Sequence, residues 1–119
     1  MFNDSPVAIY RQLIEYYRYE IASGRIKPGE RLDSIRNIAL QFKVNPNTVQ
    51  KALVELERDG LVHTHRTNGK FVTEDQTIID GLHHNLVAHM SEEVVKRMKD
   101  LNATPDEVLD EVRRMWKEN

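Results

Sequence analysis

The stretch Lys43–Val62, "KVNPNTVQKALVELERDGLV", decides how the rest of the chain is read. Val49, Ala52, Leu53 and Leu56 recur at i, i+3, i+4 and i+7, the spacing of one buried stripe along a helix. Asn45 followed by Pro46 supplies an N-cap and a first helical residue, since proline there lacks only an N–H that no helical carbonyl would have taken. Gly60 is placed to end the helix in the left-handed conformation. The opposite face carries Asn47, Thr48, Gln50 and Lys51 in its first turns. Asn45 has a local task as the cap; those four have none.

The neighbours of this helix give it a context. Upstream, Ser34 can cap a short helix whose inward face is Ile35, Ile38, Ala39 and Phe42. Two short helices joined through Lys43 and Val44 make a helix-turn-helix. Before them, Ser5 and Pro6 open a first helix with Ile9, Leu13, Tyr17 and Ile21 every fourth residue and Ile14 beside them, ending at Gly24. The segment "GRIKPGERL" (24–32) then reads as a connector. Downstream, "LVHTH" (61–65) and "KFVT" (70–73) are β-compatible and flank "RTNG", whose Asn68-Gly69 pair signals a hairpin turn. Directly after a helix-turn-helix, such a hairpin is a wing.

This arrangement explains the polar face. The N-terminal turns of the second helix of a helix-turn-helix enter the DNA major groove while its apolar stripe packs on the first. Asn and Gln amides donate and accept together, matching N6 and N7 of adenine, and Thr offers a hydroxyl or a methyl for thymine. The helix N-terminus adds partial positive charge and N–H groups suited to a phosphate. Asn47, Thr48, Gln50 and Lys51 are therefore the expected DNA-facing set, with Arg36 as a phosphate contact and Arg66 and Lys70 flanking the wing turn.

Charge agrees once it is resolved along the chain. The 119 residues carry a formal net charge of -2. Residues 1–75 hold 11 Lys+Arg against 10 Asp+Glu, whereas 76–119 hold 6 against 9. The local density is basic between Arg25 and Lys51, where Arg25, Lys27, Arg31, Arg36, Lys43 and Lys51 face only Glu30 and Asp33.

From Gln76 the pattern changes to a long stripe of Ile79, Leu82, Leu86, Met90, Val94, Met98 and Leu101. "TPDE" (104–107) is a capping box opening a last helix with Val108, Leu109, Val112, Met115 and Trp116. A helix of that length must bury its apolar face, and the winged part already has its own core, so a symmetric partner is the expected cover. The expected fold is mostly α with a small β-hairpin: a winged helix-turn-helix DNA-binding domain in residues 1–75, then a two-helix dimerisation segment in 76–119. Two-fold symmetry implies a pseudo-palindromic site on double-stranded DNA.

Other chemistries lack their signatures. Without cysteine there is neither a disulfide framework nor a thiolate zinc site. His63 and His65 share a strand face, and His83, His84 and His89 show no i, i+4 pairing, so no metal is expected. The carboxylates of "SEEVVKRMKD" and "PDEVLDEVRR" alternate with bases as i, i+4 partners. No phosphate loop or nucleophile elbow appears, so neither catalysis nor a cofactor is expected. The N-terminus lacks the pattern of a signal peptide and the apolar runs are short, which predicts a cytoplasmic protein with no membrane partner. No effector is named by the residues. The competing readings are a protein-interaction module on a winged-helix scaffold and a non-specific architectural binder; the side-chain amides argue against the latter.

The segments "IYRQLIEYYRYEIASGRIKPGERL", "SIRNIALQFKVNPNTVQKALVELERDGLV" and "NGKFV", between Pro6 and Val72, resemble the winged helix-turn-helix of the GntR family of bacterial transcription regulators. The short tail is similar to that of the YtrA-like subgroup, in which two dimerising helices replace a larger effector-binding domain. The resemblance implies a dimeric repressor with DNA contacts from Arg36, from Asn45, Asn47, Thr48 and Gln50, and from the wing tip at Arg66, Thr67, Asn68 and Gly69. Three residues depart from the family pattern: Asp33 replaces a usual proline and is expected to loosen the start of the second helix, Pro46 replaces a frequent arginine, and Thr67 replaces a glycine.

Overall fold

The computed structural model describes residues 6–119, which form α1 (Pro6–Ser23), α2 (Ile35–Phe42), α3 (Pro46–Arg58), the hairpin β1 (Val62–His65) and β2 (Gly69–Val72), α4 (Gln76–Asp100) and α5 (Pro105–Glu118). Ser5, expected to cap the first helix, lies outside the described residues. Contacts divide the chain into a unit ending at His84 and a second unit, Asn85–Asn119.

The core of the first unit forms where three helices and the hairpin turn their apolar sides together. Leu13, Ile14, Tyr17 and Ile21 of α1, Ile38 and Ala39 of α2, and Val49, Ala52, Leu53 and Leu56 of α3 are all buried. Ile9, Ile35 and Phe42 pack against this cluster at its edge. Tyr16 meets Tyr17 and Phe42 edge-on, with ring centroids 5.2 and 5.1 Å apart. Such T-shaped pairs set the quadrupole edge of one ring against the face of another.

Local chemistry sets the helix boundaries. Ser34 Oγ accepts from Asn37 N–H at the start of α2, and Asn45 Oδ1 accepts from Asn47 N–H at the start of α3. Asp33 does not loosen α2: its Oδ1 accepts from Ser34 N–H and Asn37 Nδ2, both at 2.9 Å. Those two bonds, the one from Asn37 first, hold its carboxyl below the usual carboxylate range. Past the end of α3, Gly60 has φ +80°; its N–H donates to Glu57 C=O and Leu61 N–H donates to Leu56 C=O. This is a Schellman closure with Leu61 and Leu56 both buried beneath it.

Two features of the wing differ from expectation. Arg66 and Thr67 have negative φ, Asn68 N–H donates to His65 C=O, and Gly69 pairs with His65 at φ +97°. The connection is thus a three-residue loop, Arg66-Thr67-Asn68, with the strands paired one to one up to Gly69, so Asn68 and Gly69 are not the two central residues of the turn. A type I′ Asn-Gly turn needs positive φ at both central positions, and Asn68 does not adopt it. Second, the connector after α1 does more than link. Val72 N–H donates to Glu30 C=O, Leu32 N–H to Lys70 C=O and Gly29 N–H to Val72 C=O, with Arg31 bridged to Phe71, so residues 29–32 form a third edge on β2.

Just before α4, Asp75 Oδ1 accepts from Thr77 N–H. Ile79 is only 6% exposed and belongs to the core of the first unit, with Ile78 and Leu82 packed against that core. The expected stripe therefore divides: Ile79 and Leu82 cover their own chain, and the compact first unit runs past Gln76 to His84.

The second unit holds the rest of α4 and α5, joined by a turn whose chemistry is legible in the sequence. Asn102 takes φ +61°, with Asn102 N–H on Lys99 C=O and Ala103 N–H on Met98 C=O. Thr104 and Glu107 form the reciprocal capping box of α5. Met90, Val94, Val95, Leu101, Leu109, Val112, Met115 and Trp116 are all exposed, Trp116 at 81%. Leu86 and Met98 are half-buried.

Besides Asn102, one other described non-glycine residue takes the left-handed conformation. Lys43, the C-cap of α2, sits at φ 58°, ψ 48°, a conformation that crowds Cβ against the following carbonyl. Lys43→Gly is expected to raise stability by about 1 kcal/mol, seen as a Tm increase of roughly 4–8 °C for a domain of this size.

Candidate nucleic-acid interface

The first turn of α3 has no acidic residue, so nothing there cancels the positive end of the helix dipole. Its N–H groups are nevertheless all engaged. Pro46 has none, Asn47 N–H donates to Asn45 Oδ1 at 2.8 Å, and Thr48 N–H donates to Asn45 C=O at 3.0 Å. The expectation of free N–H groups for a phosphate is thereby corrected: recognition at this end falls to side chains. Asn45 keeps its amide donors and gives its acceptor to the cap.

Asn47, Gln50 and Lys51 are exposed and Thr48 is half-buried. Among the described residues no hydrogen bond or ion pair engages these four side chains. The contrast with the rest of α3 is informative: further along the helix, Arg58 pairs with Glu55 at 2.6 Å and Glu57 is tied to the wing. Arg36, the second residue of α2, is exposed, again without an ion pair among the described residues.

The wing divides its residues between two faces. Val62, Thr64, Lys70 and Val72 share the face toward α3, because Thr64 pairs with Lys70 and Val62 with Val72 across the strands. Glu57 Oε1 accepts from Thr64 N–H at 3.1 Å and Thr64 Oγ1 at 2.8 Å, while Lys70 Nζ donates to Thr64 Oγ1 at 2.8 Å and lies 3.6 Å from Glu57. Lys70, expected to face DNA, is thus committed to holding the hairpin on α3, since the strand register turns it inward. Its side chain is only 17% exposed. Arg66, Thr67 and Asn68 form the exposed tip.

On the other face His63 stacks on Phe71, centroids 6.0 Å apart, and His65 meets the same ring edge-on at 6.1 Å. Among the described residues no three His, Cys, Asp or Glu side chains come together as a metal would require.

Sequence reading missed Arg31. Its guanidinium lies over Gly69: a Cβ built there would meet Arg31 Nε at 3.3 Å and Nη2 at 3.5 Å. The local signal, a basic residue inside the positive segment, could not place it; only the bridge to Phe71 brings it to the wing.

A helix-turn-helix with an exposed polar recognition face and a hairpin wing defines a DNA-binding transcription regulator. The chain belongs to the gntR family of bacterial regulatory proteins, whose profile matches residues 9–72. It is 39% identical over 109 residues to an HTH-type transcriptional regulator of Bacillus subtilis (strain 168), YhcF, covering 92% of this chain and 90% of that one. It is also 39% identical over 79 residues to the HTH-type transcriptional repressor YtrA of the same organism, covering 65% of this chain and 61% of that one. A GntR family transcriptional regulator from Listeria monocytogenes superposes with TM-score 0.87 at 33% identity, over 95% of this chain and 98% of that one. Such a family of regulators is not a class of enzymes. Among the described residues no helix is long and apolar enough to cross a membrane.

The Glu57 anchor makes the wing sensitive to acid. The hydrogen bond from Thr64, followed by the charge of Lys70, lowers the Glu57 carboxyl from its usual range. A lowered folded-state value contributes stability above the unfolded carboxylate range, and that contribution is lost as pH falls through the folded value. Between pH 7 and pH 3 the β1–β2 amides are expected to lose hydrogen-exchange protection in the native chain. Glu57→Gln should be less protected at pH 7 and flatter with pH, by about 0.5 kcal/mol after allowing for solvent screening.

Proposed function

We propose that this regulator is a homodimeric repressor that occupies a pseudo-palindromic operator, with α3 reading the major groove and the wing tip lying along the flanking backbone or minor groove. The observation that carries it is the exposed, unpaired set Asn47, Gln50 and Lys51 with half-buried Thr48 at the unacidified end of α3. Asn47 and Gln50 suit adenine, Thr48 suits thymine, and Lys51 and Arg36 suit phosphates. Arg66, Thr67, Asn68 and the backbone at Gly69 make up the wing contact. Asn45 contributes mainly by capping. Repression follows from occupying a promoter, the sense carried by the name of one relative. The work is done on the chromosome, in the cytoplasm.

Dimerisation is assigned to the second unit. Met90, Val94 and Leu101 of α4 remain exposed there, joined by half-buried Leu86 and Met98, and α5 adds Leu109, Val112, Met115 and Trp116. An apolar surface of that extent on a water-soluble regulator calls for a partner, and a second copy gives the two-fold symmetry that a palindromic operator mirrors. Ile79 and Leu82 have no part in that interface beyond anchoring α4.

The deciding experiment is selection from a pool of random duplex DNA, sequencing the bound fraction. Enrichment of a two-fold symmetric motif is expected; recovery of duplex without a motif would indicate an architectural binder, and no recovery at low salt would favour a protein-interaction module. On the selected motif, Gln50→Ala or Asn47→Ala should lower discrimination against mismatched sites by roughly 1–3 kcal/mol per base pair while binding to unrelated duplex changes little. Val94→Asp is expected to shift sedimentation toward monomer and weaken motif binding at least tenfold, because a carboxylate in an apolar interface is left unpaired. Unaltered sedimentation would remove α4 from the interface.

A further inference from the structure

The wing carries more positive charge than its own sequence supplies. Arg31 lies outside the hairpin, yet it is bridged to Phe71 on the free edge of β2 and its guanidinium covers Gly69, the first residue after the tip loop. The absence of a side chain at Gly69 opens this space: a Cβ would sit 3.3 to 3.8 Å from the guanidinium atoms Nε, Nη2 and Cζ. Arg31 is exposed, and among the described residues no hydrogen bond or ion pair holds its guanidinium. The adjacent Glu30 accepts from Lys27 N–H, and Asp33, which accepts from Ser34 and Asn37, meets the Arg31 charge only weakly and through space. By contrast Lys70, the basic residue within β2, is turned inward onto Glu57 and Thr64.

We infer that Arg31 is a phosphate-binding residue of the wing, taking the place on the DNA backbone that Lys70 does not reach. The inference rests on the operator-binding function proposed above. A planar fork of N–H donors, held flat along the backbone at Gly69, suits bidentate contact with a phosphate beside the groove the tip enters. The planar fork is also pre-organised, so less conformational freedom is lost per hydrogen bond than with a lysine. The contact is to the backbone, so it adds affinity without base preference.

The test uses the full-length chain with two duplexes of equal length, one of mixed sequence and one rich in A·T runs, titrated with salt. Arg31→Ala should weaken binding roughly fivefold to tenfold on both duplexes and lower the slope of log affinity against log salt by about 1. Arg31→Gln keeps the side-chain stem over Gly69 and should lose as much; Arg31→Lys should keep the slope. Thermal melting of all three variants should match the native chain, because the backbone bonds of residues 29–32 are untouched. A loss confined to the A·T-rich duplex would overturn the phosphate assignment in favour of groove reading. Unchanged affinity and slope in Arg31→Ala and Arg31→Gln would overturn the inference and leave the proposed function standing. Failure of the native chain to bind either duplex at low salt would overturn both.

Discussion

Everything in the first unit hangs on the apolar stripe of α3. Val49, Ala52, Leu53 and Leu56 are each at most 1% exposed, and they meet α1 on one side, α2 on another and the base of the wing beyond Leu56. Burying Val49, Leu53 and Leu56 contributes on the order of 1.5–3 kcal/mol each, so this helix cannot rotate about its axis without losing several such terms. That fixed rotation is what keeps Asn47, Gln50 and Lys51 outside. Base reading needs side chains held to within a fraction of an ångström, and a rigid helix face achieves this where a loop would not.

The polar anchors complete what the stripe begins. Asn45 engages the first N–H groups of α3, the Gly60 closure turns the chain into β1, and Glu57 reaches from α3 to both strands of the wing. Recognition helix and wing are therefore positioned by the same thirteen-residue element. The division of labour is visible in the basic residues: Lys70 is taken by the scaffold, whereas Arg36, Lys51 and Arg66 remain unpaired among the described residues. Counting basic residues in the sequence could not separate these groups, because strand register decides which way Lys70 points.

The second unit obeys a different constraint. The turn between its helices is satisfied by the closure at Asn102 and the capping box of Thr104 and Glu107, yet α5 buries none of its residues. Local chemistry makes these helices; it does not give them a core. That imbalance between well-made helices and uncovered apolar surface is the physical ground for the dimer proposed above, and it sets the second unit apart from the first, whose core is closed.

By itself the sequence determined the order and type of the elements, the caps at Ser34, Asn45 and Thr104, the end of α3 at Gly60, and the membership of the polar face of α3. These depend on interactions among residues a few positions apart, which spacing and side-chain chemistry report directly. Only the tertiary structure decided that Ile79 and Leu82 belong to the first unit, that the hairpin turns through Arg66, Thr67 and Asn68 with Gly69 at positive φ, that Asp33 braces α2, that Lys70 faces inward, and that Arg31 joins the wing. Most of these turn on contacts between segments distant along the chain or on which strand residues pair. Periodicity cannot encode such contacts, because a pattern of apolar positions states that a face is buried without stating against what.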